Sequence, residues 1–215
     1  MKSRDQLLLE QAYQKIVESD SVLVPRRSKE ERTKNHARAI QQKIQQYIKN
    51  GSQGDLDLGN SPVDSLPQGL KVGGFLILDR TKIASLPRGL EVQGDLFMTK
   101  TRITSLPDDL KVHGSLFAPG SLITTLPDGL EIGVSLNLSR TLVTSLPRGL
   151  KVGNNLIVRE GCLATMPQDL KVGNDLVLVG TPLAKHLRYE VRPTPARLRQ
   201  LFPGVIGKIK LTDDL

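Results

Sequence analysis

Three histidines (His36, His113, His186) and one thiol (Cys162) are the side chains of this 215-residue sequence best suited to nucleophilic, acid–base or metal chemistry. Their spacing assigns them none of it. The histidines fall in an expected helix, a repeat turn and the C-terminal segment, with no metal-ligand spacing. Cys162 shares its column with Pro62, Lys82, Arg102, Leu122, Leu142 and Pro182, so it reads as a structural or incidental thiol. A single cysteine leaves no internal disulfide and no cysteine-rich metal site, which fits a reducing compartment. No phosphate-cradling glycine loop, nucleophile elbow or paired acid–base motif is present. The expectation is a non-enzyme with no catalytic residue, metal or cofactor.

Binding chemistry is better represented, and it comes in columns. Leu-Pro recurs at Leu66-Pro67, Leu86-Pro87, Leu106-Pro107, Leu126-Pro127 and Leu146-Pro147, then as Met166-Pro167, always twenty residues apart. The stacked consensus is LPxGLxVxGxLxLxxTxIxS, with 86–105 (LPRGLEVQGDLFMTKTRITS) as one clean copy. In each LxL segment both outer residues face one side and the middle one faces the other. The middle column reads Asp57, Ile77, Phe97, Phe117, Asn137, Ile157, Val177 and Lys210. Rungs about 4.8 Å apart would make Ile77, Phe97 and Phe117 one apolar strip, a candidate protein-docking surface. Strand propensity alone also accounts for such residues, and the N-terminal helices or a twin subunit could cover them. Just past the strand lies a basic ladder of Arg80, Lys100 and Arg140, broken by Gly120 and Glu160, with Lys82 and Arg102 two residues on. It suits an acidic protein or a phosphate backbone, or serves only as a solvated face. Stacking aromatics beside it would favour nucleic acid, but the nearest aromatics are in the strands.

The elements that position these columns follow from the same repeat. Short strands are expected at Leu76–Leu78 and at each twenty-residue step to Leu176–Leu178. Gly74, Gly94 and Gly114 precede them at a turn or close backbone approach, replaced later by Val134, Asn154 and Asn174. The proline falls where the chain bends and owes no donor to a ladder. Thr81, Thr101, Thr141 and Thr181 can satisfy nearby backbone through their hydroxyls. One repeat cannot bury its apolar side alone, but stacked repeats can, giving a quasi-one-dimensional solenoid.

Over residues 54–187 the pattern resembles the leucine-rich repeat. It is most similar to the short Leu-Pro-containing repeats of bacterial effectors and related bacterial and phage proteins. The resemblance implies an α/β repeat solenoid, a leucine-rich-repeat-like parallel β-solenoid, that works by binding protein. Two departures stand out: threonine occupies the family's asparagine-ladder position, and a GLxVxG insertion precedes the strand. A second short strand or a turn per coil therefore stays open, as does a flatter solenoid instead of a horseshoe. Effectors of this kind can carry a ubiquitin-ligase domain after the repeats, and about 30 residues follow them here, too few for one.

The ends read as caps, with 1–53 a basic helical cap, 54–187 the solenoid and 188–215 a C-terminal helix plus final strand. Leu8, Leu9, Ala12, Tyr13, Ile16 and Val17 suggest a helix over 5–18. Ser28 with Glu31 opens a second helix over 29–49, which Gly51 stops. Thr194-Pro195 begins a short helix that ends near Phe202-Pro203, and GKIKL (207–211) supplies a last strand, for about eight rungs. Composition agrees. There is no Trp, and only four Phe and three Tyr, against 19 Gly and 13 Pro, so aliphatics fill a thin coil and Gly and Pro mark its turns. Net charge is +8, of which +5 lies in residues 1–50, notably Arg26, Arg27, Lys29, Arg32, Lys34 and Arg38.

No run approaches the ~20 apolar residues of a membrane span, and the N-terminal sequence lacks a signal-peptide core. The expected location is cytoplasmic, or a host cell after injection. Three partner classes follow. A protein partner on the Ile77, Phe97, Phe117, Asn137, Ile157 and Val177 column ranks first, for an effector, inhibitor or adaptor. Nucleic acid on the basic ladder and N-terminal segment, and self-association as a homo-oligomer, are the alternatives.

Overall fold

The computed structural model describes residues 29–191 and 194–212, and the chain separates into two compact units, residues 1–36 and 37–215. The helix expected over 5–18 lies outside the described residues. The second is present as α1, Lys29–Lys49. Within the larger unit its apolar stripe buries Ile44 fully and Ile40 and Tyr47 in part. Gly51, at a φ of 81°, turns the chain, and the Ser52 amide returns to the Tyr47 carbonyl at 3.0 Å, which ends the helix.

Beyond α1 the chain winds into a parallel β-solenoid with two sheets. The front sheet has eight strands: Leu56–Asp57, Leu76–Ile77, Leu96–Phe97, Leu116–Phe117, Leu136–Asn137, Leu156–Ile157, Leu176–Val177 and Ile209–Lys210. Every pair is parallel, and all but the last are in register at the twenty-residue step, as in Leu76 with Leu96 and Ile77 with Phe97; the last sets Leu176 against Ile209. The GLxVxG insertion forms a side sheet of six strands, from Lys71–Val72 to Lys171–Val172. Six coils thus carry both strands, and the alternative of a bare turn falls away.

Each coil points one short column of side chains inward. In one coil these are Thr81, Ile83, Leu86, Leu90, Val92, Leu96 and Met98, all buried. Fully burying such an aliphatic is worth about 1.5–3 kcal/mol, a gain that exists only once a neighbouring coil covers it. The threonine column works as its hydroxyl suggests: Thr81 and Thr141 donate to the Leu78 and Leu138 carbonyls at 2.7 Å, and Ser121 to Ala118 at 2.8 Å.

Backbone hydrogen bonds join successive coils on the third side as well. The Thr124 amide donates to Thr104 at 2.9 Å, Leu142 to Ile123 at 3.0 Å and Ala164 to Thr144 at 2.9 Å. With all three sides tied at strand spacing, coils have little freedom to fan apart, so the flatter solenoid is favoured over a strongly curved horseshoe.

The tight turn between the two strands explains the glycine pattern. In the coil containing Gly114 the glycine is the turn's second residue, and a Cβ there would lie 2.5 Å from the Gly94 carbonyl oxygen. From Gly133 onward it is the first residue instead, and a Cβ on Gly153 would lie 2.0 Å from the Gly133 oxygen. That shift of one position admits Val134, Asn154 and Asn174.

The ends are closed differently. At the N-terminal end the Tyr47 hydroxyl lies 2.8 Å from both the Ser52 and Gly54 carbonyl oxygens and accepts from the Gly73 amide at 3.2 Å. Lys43 Nζ caps the Asp57 carbonyl. At the C-terminal end a helix the sequence did not suggest, α2 (Pro182–His186), is capped by Thr181 and runs into a π-helical turn, Leu187–Val191. The expected helix follows as α3, Pro195–Leu201, capped by Thr194. Val205 then bridges to Val172 on the side sheet before Ile209–Lys210 completes the front sheet.

A Gly153→Ala substitution should cost about 3 kcal/mol or more of stability, whereas Asn154→Ala, one residue on, should cost less than about 1 kcal/mol. Urea denaturation midpoints of the two variants check this; equal midpoints would contradict the close-approach account.

Candidate functional site

The outward face of the front sheet is a lattice of three columns, one residue of each per rung. The central column is the one expected from the sequence. The flanking ones run Asp55, Phe75, Asp95, Ser115, Ser135, Asn155, Asp175, Lys208 and Gly59, Asp79, Thr99, Pro119, Ser139, Arg159, Val179, Thr212.

The first flanking column is a hydrogen-bond ladder. Asp55 accepts from the Phe75 amide at 2.7 Å, and Asp95 from Ser115 at 2.6 Å. Ser115 accepts from Ser135 and Ser135 from Asn155, both at 3.3 Å, then Asn155 from Asp175 at 3.0 Å and Asp175 from Lys208 at 2.9 Å. Phe75 breaks it, because a phenyl ring offers the next amide no acceptor. A residue that gives up a local ladder bond and stands 43% exposed invites a functional reading.

Phe75 also completes an aromatic cluster. The Phe97 and Phe117 rings stack at 5.1 Å and 7°, and Phe75 meets Phe97 edge-on at 6.2 Å and 89°. Both geometries are favourable for aromatic quadrupoles, at about 0.5–1.5 kcal/mol per pair. Three of the four phenylalanines therefore lie on one outward surface, and no Phe is among the buried core side chains. The sequence pointed to Phe97 and Phe117. Phe75 escaped notice because it lies one column over, beside the LxL motif and not inside it.

The central column is less open than its outward direction suggests. Ile77, Phe97, Phe117, Asn137 and Ile157 are half-buried by their neighbours across rungs, and Val177 is buried, at 7% exposure. Lys210 is half-buried and lies 3.6 Å from Asp175.

The basic ladder runs along the corner next to this face. Arg80, Lys82, Lys100, Arg102 and Arg140 are all exposed. Arg80, Lys100 and Arg140 adopt the left-handed conformation, with φ of 55–57°, as Gly120 and Gly180 do at the same corner. Each is held there by its amide, which donates to the next coil: Arg80 to Thr99 at 2.8 Å, Lys100 to Pro119 at 3.0 Å. Arg140 is not an independent cation, because Nε and Nη2 both lie 2.7 Å from one Glu160 carboxylate oxygen. The ladder thus presents two basic pairs, Arg80 with Lys82 and Lys100 with Arg102, and then loses its charge.

A concavity of about 960 Å³ lies along the side sheet over the glycine floor of Gly133, Gly153 and Gly173. Its lining mixes both signs: Lys151 pairs with Glu131, and Asp108 and Asp109 stand with Lys111 and Lys171. Further along the same sheet Lys71 sits 3.3 Å from Glu91, whose other oxygen is 3.5 Å from His113. The Lys71 hydrogen bond and charge hold the Glu91 carboxyl below its usual range. Three acidic and three basic side chains line the concavity, so its summed charge favours neither sign of ligand. Elsewhere Leu122 and Leu142 are exposed beside the exposed Cys162. Among the described residues no group of three or more His, Cys, Asp or Glu could hold a metal ion. Among them, too, no helix is long and apolar enough to cross a membrane.

No protein-family model and no curated protein matches the sequence. Among solved structures, the chain is similar to the leucine-rich-repeat domain of a Shigella effector, at 18% identity and a TM-score of 0.50, covering 80% of this chain and 87% of that one. At that identity the likeness shows the fold alone: this is a leucine-rich-repeat-type parallel solenoid with helical elements at its ends.

Two outcomes follow from the corner and the side sheet. Lys100→Gly should stabilise the protein by about 0.5–1 kcal/mol by relieving the left-handed backbone, with Arg140→Gly gaining less because the Glu160 pair is lost; thermal melts check both. Because its folded-state value is depressed, Glu91 adds stability that is present above the unfolded carboxylate range and lost as pH falls through the lower folded value. In Lys71→Met, NMR titration of Glu91 should move up toward the ordinary range.

Proposed function

We propose that the protein is a non-catalytic recognition module that binds a protein partner through the front sheet face. The observation that carries this reading is the phenylalanine cluster of Phe75, Phe97 and Phe117. The chain scarcely uses aromatics, yet it gathers three on an outward surface, at the expense of one ladder bond. Aromatic side chains are enriched at interface hot spots because a rigid ring buries much area at little entropic cost. The scaffold beneath is already fixed by coil-to-coil hydrogen bonds, so binding need order little backbone. Ile77, Asn137 and Ile157 extend the same surface along the solenoid, with Val177 buried at its far end.

An effector, inhibitor or adaptor role inside a cell fits this reading, as does the likeness to an effector domain. Nucleic acid finds less support. The basic corner fades at Gly120 and at the Arg140–Glu160 pair, and the stacked rings lie among aspartates, which repel phosphate.

A Phe97→Asp/Phe117→Asp double variant should keep its circular dichroism spectrum and lose crosslinking pulldown of the wild-type partner set. If the folded variant retains every partner and its oligomeric state, the face is not the binding surface. Binding that falls steeply with salt and depends on Arg80 and Lys100 would support the nucleic-acid alternative instead.

A further inference from the structure

The charges on the front face are segregated along the solenoid. The first four rungs place Asp55, Asp57, Asp79 and Asp95 around the phenylalanine cluster, with no lysine or arginine in the three columns. The last four place Arg159, Lys208 and Lys210 there against Asp175 alone. The face therefore carries four negative charges at one end and a net two positive charges at the other. A partner of uniform charge would match half of it and repel the rest.

We infer that the occupant of this face is a second copy of the chain, turned by a two-fold axis parallel to the strands. The proposal rests on the reading of the front face as a binding surface and adds the identity of the partner. Such an axis keeps each column opposite itself and sets the first rung against the eighth, the second against the seventh and the third against the sixth. Asp55 then faces Lys208 and Asp57 faces Lys210. Ile77 faces Val177, and Phe97 faces Ile157. At the centre Phe117 meets Asn137. Phe75 faces Asp175, Asp79 faces Val179 and Thr99 faces Arg159, and no two like charges oppose one another. The other in-plane two-fold axis, along the solenoid, would set Asp57 against Asp57 and Lys210 against Lys210, so charge selects the antiparallel arrangement. A two-fold interface requires this kind of self-complementarity, in which residue i meets j and j meets i.

Size and shape are compatible with it. Eight rungs at about 4.8 Å and three columns spanning about 13 Å give roughly 500 Å² per face, or about 1,000 Å² for the pair, the lower bound of specific interfaces. The dimer is accordingly weak and concentration-dependent. Hydrogen bonds tie the coils on all three sides and so limit how far they can fan apart, which favours faces that can meet along their length.

Charge exchange tests this in the full chain by sedimentation equilibrium at low salt. Asp57→Lys and Lys210→Glu should each weaken self-association about tenfold or more, since each dimer contains the contact twice. An equimolar mixture of the two variants should recover it, because every contact is again between opposite charges. The double variant D57K/K210E should self-associate like the wild type. Recovery also answers the concern that Asp57→Lys loses the 2.9 Å bond its side chain accepts from the Gly59 amide, since a misfolded chain would not be rescued. The proposal is overturned if the wild type stays monomeric up to about millimolar concentration, or if the mixture associates no better than its components. Should that happen while a different protein binds the wild type and not Phe97→Asp/Phe117→Asp, the front face remains a binding surface and only its occupant is wrong. If neither form of binding responds to the phenylalanine variant, the reading of the face fails as well.

Discussion

Coil-to-coil backbone hydrogen bonding at a fixed twenty-residue step is the constraint from which the rest of this structure follows. It operates on the front sheet, the side sheet and the third side alike. Once every coil must superimpose on the next, each position becomes a column, and a column has one environment. Inward columns accept aliphatics of limited size, because the coil has room for one layer. The corner column demands a left-handed residue, and the turn between the strands demands a glycine at one of two adjacent places. The outward columns alone can vary, and that is where this chain keeps three of its four phenylalanines and its segregated charge.

Much of this was legible in the sequence because columns repeat. Leu-Pro, LxL and the buried threonines recur often enough to give the step, the inward side and the parallel register, and the Ser28-to-Glu31 sequence pattern and Thr194-Pro195 point to the helices present at Lys29–Lys49 and Pro195–Leu201. Features without a repeat were not legible. The side sheet hid behind residues such as Lys71-Val72, too short a stretch to separate strand from turn. The π-helical turn at Leu187–Val191 and α2 interrupt the pattern once each. The glycine exchange between the Gly114 and Gly133 coils looked like simple loss of a glycine, whereas the contact had moved by one residue.

The candidate site was legible only in part, for a related reason. Alternation gave the direction of Phe97 and Phe117 but not how far neighbours shield them, and Val177 proved buried. Phe75 is significant through what it displaces, a ladder acceptor supplied by Asp, Ser or Asn in other coils, and that ladder is visible only from hydrogen bonds. Likewise Arg140 counted as a free cation until the geometry placed Glu160 one coil on against its guanidinium. Side-chain partners one coil away are twenty residues apart in sequence, beyond the reach of local pattern.

On the reading proposed above, the front face recognises protein, and its own copy in particular, while the side sheet does not. NMR spectra of the full chain recorded over a dilution series test that most directly. Concentration-dependent shifts are expected at Ile77, Phe97, Ile157 and Val177, with Lys111 and Glu131 of the side sheet unchanged. Shifts confined to the side sheet or to the basic corner at Arg80 and Lys100, with the front column static, would contradict it.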